Sequence, residues 1–189
     1  GVHLKKTGKI LFHGTIVKCK GLEVLLEAFR IFHEKYPETE LIVAGGGEEE
    51  ENIRSYADKL DLENVTFTGW YDHEQLARLM KDVQISVAMR SPNMANNFVV
   101  TTCLLESWAY KKPTIVPNLA SFREVVVDGE NGLLFKPGDA EDLAEKLEKL
   151  YTETDRYETL IKNGLRTANE TFSHNKIAKD MVSALKTYL

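Results

Sequence analysis

The sequence is short of cysteine, of proline and of long apolar runs, and each shortage excludes a class of protein. Two cysteines among 189 residues, Cys19 and Cys103, cannot build the disulfide framework of a small secreted domain, so a reducing, cytoplasmic setting is the simpler expectation. Five prolines and 12 glycines are too few for a fibrous or low-complexity chain. No apolar run approaches the roughly 18 residues that a membrane-spanning helix needs.

Basic charge is also in short supply. Lys and Arg together number 24 against 29 acidic residues, which leaves a formal net charge of -5. Nucleic acid is therefore not expected as a partner, because a general nucleic-acid surface needs an excess of positive charge. With 43% hydrophobic and 28% charged residues, the chain has the composition of a globular domain with one sizeable core.

Short apolar runs recur along the chain with helical patterns between them. Most runs do not alternate with polar residues, which is typical of parallel strands covered on both faces. We therefore predict an α/β fold: a doubly wound, Rossmann-like parallel sheet of about six strands, with helices on both faces and extra C-terminal helices. The predicted strands centre on residues 10–12, 41–44, 65–67, 85–88, 114–116 and 132–135.

The predicted helices follow from apolar residues at i, i+3, i+4 and i+7. Asp139 is placed as the N-cap of one helix and Ser173 as the N-cap of the last. The apolar stripes are Leu22, Leu25, Leu26, Phe29 and Phe32; Ile53, Tyr56, Ala57 and Leu60; Leu76, Leu79 and Met80; Leu104, Leu105, Trp108 and Ala109; Leu143, Leu147 and Leu150; and Ile177, Met181 and Leu185.

Two glycine-rich turns resemble nucleotide-binding motifs, but neither matches a common motif of that kind. Six residues separate Gly14 from Gly21, two more than a Walker A loop allows, and Leu22 follows where Lys is required. The glycines at 45–47 are followed by four glutamates at 48–51, which would repel a pyrophosphate. Acidic residues suit a helix start, so we interpret this run as a solvated first turn.

The first turn remains a candidate anion site. Gly14 lets a ligand approach the backbone, and Lys20 can place an ammonium on a phosphate. The alternative is that Lys18 and Lys20 are ordinary surface lysines. His13, at the strand end, either touches a phosphate or simply finishes the strand.

A second set of candidates lies at the helix around "CLLESWAY". Glu106 is a carboxylate in an apolar helix, where it needs hydrogen-bond donors, and a ribose diol would supply two. The alternative is a glutamate at the helix edge that faces water. Thr101 and Thr102 fall at the start of this helix, where free amides favour a phosphate or the hydroxyls merely cap. The histidines at 33, 73 and 174 show no ligand spacing, so we expect no metal site.

Four blocks of the sequence resemble the C-terminal, donor-binding half of GT-B glycosyltransferases of group 1, in particular the retaining family 4. These blocks are G-x5-K-G-L-x2-L-L-E-A-F at 14–29, V-T-F-T-G at 65–69, L-E-S-W-A-Y-K-K-P at 105–113 and F-R-E-V-V-V-D-G-E-N-G-L-L-F-K-P-G-D at 122–139. The resemblance implies retaining, metal-independent transfer of a sugar, of hexosyltransferase type, from a UDP-, GDP- or ADP-sugar. No cofactor is implied beyond this donor substrate.

The resemblance also assigns roles by position. Lys20 matches the lysine that holds the pyrophosphate and Glu106 matches the second acid of an E-x7-E motif, which holds the ribose. Trp70 and Tyr71 match the segment against the base. The donor-binding residues it implies are Gly14, Thr15, Lys18, Trp70, Tyr71, Asn97, Phe98, Val99, Val100, Thr101 and Thr102, with Lys20 and Glu106 as the catalytic pair.

The chain departs from the family pattern at two positions. Thr15 stands where the family usually has Arg, so one pyrophosphate contact is missing and Lys18 is a candidate substitute. Phe98 stands at the first acid of E-x7-E, which puts sugar recognition in doubt; Asn96 and Asn97 lie close by in sequence. A catalytically degenerate nucleotide-sugar-binding or regulatory module is therefore one alternative, and an unrelated doubly wound binding domain is another.

The resemblance covers only one of the two domains of a GT-B enzyme. We expect residues 1–189 to form a single nucleotide-sugar-binding domain, with the N-terminal acceptor domain as its missing partner. Alone it is expected to bind nucleotide weakly and to transfer no sugar. The acceptor, a saccharide or a lipid, is not identified by the sequence. The whole protein is expected in the cytoplasm, with the missing domain as the part that could reach the inner membrane surface.

Overall fold

The structure is a computed structural model that describes residues 7–92 and 101–172. Within these ranges, strands and helices alternate along the chain, as the apolar runs predict. The strands are β1 Lys9–His13, β2 Glu40–Ala44, β3 Val65–Gly69, β4 Ile85–Val87, β5 Thr114–Pro117 and β6 Leu133–Phe135. The helices are α1 Leu22–Lys35, α2 Glu50–Lys59, α3 His73–Asp82, α4 Thr102–Ala109, α5 Ala120–Arg123, α6 Ala140–Thr152 and α7 Thr154–Phe172.

The six strands form one parallel sheet in the order β3-β2-β1-β4-β5-β6. This is the order of a doubly wound nucleotide-binding fold, in which the direction of winding reverses between β1 and β4. The predicted fold class is confirmed. The reversal matters because the loops after β1 and β4 diverge there and leave a crevice at the carboxyl ends of the strands.

Both faces of the sheet are buried, which explains the lack of alternation in most strands. Ile10 and Phe12 of β1 belong to the large cluster beneath α1 and α6, whereas Leu11 packs with Leu76 and Met80 of α3 on the opposite face. A third cluster joins α4 and α5 to β5. Strand β3 is an edge strand, and its exposure does alternate along its length.

Of the two predicted N-cap residues, Asp139 lies within the described residues and is confirmed. Asp139 caps α6, because its side chain accepts a hydrogen bond from the Asp142 N–H. Residues 48–51 lead into α2 as expected, with Glu49 at its N-cap. Ser173 and the last predicted stripe lie outside the described residues.

Helix α7 has no counterpart among the predicted stripes, although the sequence predicts extra C-terminal helices. It buries Tyr157 and Leu160 in the large cluster and then packs on α4. There Gly164 lies so close to Trp108 that an added Cβ would come within 2.5 Å of the indole. Within the described residues, no helix combines the length and apolar character needed to cross a membrane.

Candidate nucleotide site

A cavity of about 630 Å³ opens where the loops after β1 and β4 diverge. It lies at the switch point at which doubly wound sheets bind ligands. Eight of its lining residues are among those that the sequence predicts: Gly14, Thr15, Lys20, Trp70, Tyr71, Thr101, Thr102 and Glu106. Among the described residues, Val17, Arg90 and Cys103 also line it.

Lys20 is the buried cation of this cavity, with 7% of its surface exposed. It sits on a single 3₁₀ turn, Lys18–Lys20, which Gly21 ends in the left-handed conformation. No carboxylate pairs with its ammonium among the described residues. Burial lowers the pKa of Lys20, and the nearby Arg90 lowers it further. A buried cation without an acidic partner favours an anionic ligand.

The structure does not bring Lys18 to the cavity. This lysine is exposed on the same turn and is absent from the lining. A 3₁₀ helix has about three residues per turn, so side chains two positions apart are separated by about 120° around its axis. Lys18 and Lys20 therefore point in different directions from this turn.

Arg90, and not Lys18, lines the cavity together with Lys20. It lies in the loop that follows β4. The loops that carry Arg90 and Lys20 are joined, because both the backbone N–H and the hydroxyl of Ser91 donate to the Cys19 carbonyl, at 2.9 and 3.0 Å. Nothing in the sequence singles out Arg90, because it begins an irregular stretch without a recognisable motif.

Gly14 fixes the backbone at the mouth of the cavity. Its φ of +132° is unfavourable for other residues, and an added Cβ would lie 3.0 Å from the Cys103 sulfur. Close packing of the first loop against α4 therefore requires glycine here. Thr15 follows it, exposed and part of the lining.

Helix α4 points its N-terminus and one carboxylate at the same cavity. Thr101 is the N-cap residue and makes no side-chain capping bond. The first amides of a helix have no partner within it and attract anions. Glu106 lies one turn further on with about one third of its side chain exposed, and burial raises its pKa. No side-chain hydrogen bond to its carboxylate is found in the described part of the chain.

His13 lies behind the cavity and is fully buried. Its Nδ1 atom is 3.3 Å from the Tyr71 hydroxyl and 3.6 Å from a Glu106 carboxylate oxygen. Its Nε2 atom is 3.3 Å from the Ser107 hydroxyl. Burial lowers the pKa of His13 to about 4, so the contact with Glu106 is not an ion pair near neutral pH. The sequence left two roles open for His13, contact with a phosphate or a purely structural position at the end of β1. Its complete burial fits the structural position.

The same region brings together three side chains of metal-ligand type. Ligand atoms of His13, Cys103 and Glu106 lie within 4.8 Å of one another. Zinc accepts such donors. However, the buried thiol would have to lose its proton where burial raises its pKa, and the Lys20 ammonium would repel a second cation. The expectation of no metal stays a prediction.

Trp70 and Tyr71 form the third wall, on the turn between β3 and α3. Trp70 is 68% exposed and rests against Gly46, where an added Cβ would lie 2.6 Å from the indole Nε1. The predicted donor-binding residues Asn97, Phe98, Val99 and Val100 lie outside the described residues.

Comparison with known proteins gives a consistent family. A family profile described as "Glycosyl transferases group 1" matches residues 2–167. The chain is 31% identical over 172 residues to a putative glycosyltransferase, EpsD, of Bacillus subtilis, covering 90% of this chain and 43% of that protein. It therefore spans less than half the length of this relative.

Solved structures show the same fold. The C-terminal domain of a glycosyl transferase group 1 family protein (LpcC) from Francisella tularensis superposes with a TM-score of 0.73 at 22% identity, over 88% of this chain and 86% of that one. Anabaena Alr3699/HepE in complex with UDP-glucose superposes with a TM-score of 0.82 at 20% identity, over 95% of this chain and 48% of that one.

Proposed function

The chain belongs to the glycosyl transferases group 1 family, and we propose that it is the donor-binding domain of a retaining, metal-independent hexosyltransferase. Family membership removes the alternative of an unrelated doubly wound binding domain. The proposal gives the cavity beside β1 and β4 to a nucleoside diphosphate sugar.

The observation that supports this most directly is the charge arrangement of the cavity. Lys20 is buried without an acidic partner in the described residues, Arg90 lines the same space and α4 begins there. When the bond between sugar and phosphate breaks, negative charge grows on the departing diphosphate. Two fixed cations and free helix amides stabilise that charge without a metal ion.

The remaining walls suit the nucleoside. Glu106 accepts from the ribose hydroxyls, since its carboxylate has no donor of its own among the described side chains. Trp70 and Tyr71 lie against the base. Because the Anabaena structure is a complex with UDP-glucose, UDP is the first nucleotide to test.

A binding experiment tests the site. Calorimetric titration of the chain with UDP, GDP, ADP and their glucose conjugates is expected to show one preferred base. A hydrogen bond to a charged group contributes about 1.5–3 kcal/mol, so Lys20→Ala should weaken that ligand roughly 10- to 100-fold. The matched control is Lys18→Ala on the same turn, which should change affinity less than about twofold. Absence of binding to all three nucleotides would sink the proposal.

The second candidate is a module that binds the donor without catalysis. Thr15 and Phe98 favour it, because each replaces a residue with which the family contacts the donor. Arg90 supplies another cation to the cavity, where Thr15 stands in place of the family's arginine. Both candidates predict nucleotide binding, so they differ only in turnover by the whole protein.

Sugar transfer is proposed only for a longer protein that also contains the acceptor domain. The acceptor domain is proposed to precede this one, so the 189-residue chain should bind nucleotide and release no sugar to an acceptor. The whole protein is proposed to act in the cytoplasm, with the other domain making any membrane contact. Proton NMR of the first-formed product decides between retention and inversion, and unchanged activity in EDTA would support metal independence.

A further inference from the structure

Four polar side chains behind the cavity wall form a continuous chain of contacts. The phenol of Tyr71 meets His13 Nδ1 and the imidazole Nε2 meets Ser107, at 3.3 Å each. The Ser107 hydroxyl lies 2.7 Å from Ser86 and 2.7 Å from the Cys103 carbonyl. These residues come from the β3–α3 turn, β1, α4 and β4, so the hydrogen-bond chain links four elements around the cavity.

The direction of these hydrogen bonds follows from donor capacity. A carbonyl oxygen only accepts, so the single Ser107 hydroxyl proton points to Cys103. Ser107 must then accept from its other neighbours, which places the imidazole proton on Nε2 of His13 and leaves a lone pair on Nδ1. Tyr71 therefore donates its hydroxyl proton to Nδ1. The chain runs from Tyr71 through His13 and Ser107 to the Cys103 carbonyl.

This direction has a consequence for Glu106. Its carboxylate oxygen and the Tyr71 hydroxyl both lie within 3.6 Å of the same Nδ1 atom. Tyr71 is the phenol that shares Nδ1 with the carboxylate, and its proton is committed to His13. A neutral imidazole with a lone pair toward Glu106 offers the carboxylate no donor either. Neither side chain of this cluster that contacts Nδ1 then donates to Glu106, which leaves its carboxylate an acceptor toward the cavity.

We propose that His13 is a positioning residue for ribose recognition, which takes the Tyr71 proton and so keeps Glu106 a free acceptor for the ribose hydroxyls. The inference rests on the proposed function, because it assumes that the cavity holds a nucleotide. It assigns to His13 a role that the fold alone does not require. An apolar residue would finish β1 equally well.

The test compares UDP with 2′-deoxy-UDP by calorimetry on the 189-residue chain. The native protein should prefer UDP roughly tenfold or more, the size of a hydrogen bond to a charged acceptor. In His13→Leu the Tyr71 hydroxyl is free to donate to Glu106 and compete with the ribose. The preference should then fall to about twofold or less, while affinity for 2′-deoxy-UDP changes less than about twofold.

Two further variants separate positioning from packing. In His13→Asn, the side-chain oxygen stands two bonds from Cβ, as Nδ1 does, so it can accept from Tyr71 and the preference should be retained. In His13→Leu with Tyr71→Phe, the competing phenol is gone and the preference should return at least in part. A packing defect would give no such recovery.

The outcomes are distinguishable. If the native protein binds none of UDP, GDP and ADP, the proposed function itself fails. If it binds and discriminates, but His13→Leu keeps the full preference or loses affinity for both ligands equally, only the role of His13 is overturned. Should His13→Leu not fold, the imidazole ¹⁵N shifts of the native protein decide, because a proton on Nδ1 at pH 7 would contradict the assigned direction.

Discussion

The indole of Trp70 rests against Gly46, with no room between them for a Cβ atom. The contact holds the exposed indole at the rim of the cavity, beside the turn that follows β3. The neighbouring Gly45 has a different constraint. Its φ is +138°, and an added Cβ would lie 1.8 Å from the Gly14 carbonyl oxygen, which belongs to the backbone.

These two glycines give a matched prediction. Gly46→Ala should displace only the exposed indole, so it should cost less than about 1 kcal/mol of unfolding free energy while weakening nucleotide binding several-fold. Gly45→Ala meets backbone and a strained φ, and should cost about 2–4 kcal/mol. Urea denaturation and tryptophan emission check both. Equal destabilisation by the two would contradict the packing described here.

His13 makes stability depend on pH. Its pKa is about 4 in the folded protein against 6.5 in an unfolded chain, with Lys20, Tyr71, Cys103 and Glu106 facing it. Between these values the unfolded chain binds a proton that the native state does not, so stability falls as pH falls. The loss attributable to His13 between pH 7 and pH 4 should be about 3 kcal/mol.

The control for this effect is His13→Asn, which keeps a polar group but cannot titrate. Denaturation of both proteins across this range isolates the histidine, because the carboxylates they share cancel in the difference. Parallel pH profiles for the two proteins would show that His13 is not the titrating group.

Arg90 should act as the second cation of the site. Arg90→Gln is expected to weaken UDP binding about tenfold and to flatten its dependence on salt, since one charge on the diphosphate loses its partner. Arg30→Gln serves as the control, because Arg30 pairs with Glu34 on the exposed face of α1. A salt dependence unchanged by Arg90→Gln would exclude contact with the diphosphate.

Nucleotide should also stabilise the fold. At a ligand concentration of 100 Kd the linkage is about 2.7 kcal/mol, which for a domain of this size raises Tm by roughly 5–10 °C. Thermal unfolding with and without UDP measures it. Lys20→Ala should abolish most of the shift at the same UDP concentration, and an undiminished shift in that variant would place the ligand elsewhere.

The sheet and most helices were predictable because burial leaves a pattern in the sequence. Strands covered on both faces read as unbroken apolar runs, and α1 carries its stripe from Leu22 to Phe32. The apolar stripe of helix α7 was not predicted from the sequence. Its apolar residues, such as Tyr157 and Leu160, alternate with charged residues and with a glycine that packs against Trp108.

The site was predictable only where a motif fixed the spacing. Lys20 and Glu106, predicted from their blocks, line one cavity, whereas Lys18 does not, because the sequence does not show that the two lysines share a 3₁₀ turn. The partners of His13 come from three other elements, and no local pattern connects Ser86 to Ser107. Arg90 has no signal beyond its charge, and its relation to Cys19 exists only after folding.

The two hydrogen bonds from Ser91 to the Cys19 carbonyl have an electrostatic consequence. They fasten the loop of Arg90 to the turn of Lys20, so two like charges are kept near each other before any ligand arrives. The work of bringing them together is done during folding. A diphosphate that binds here would therefore meet two cations already positioned by the fold and would not have to order either loop.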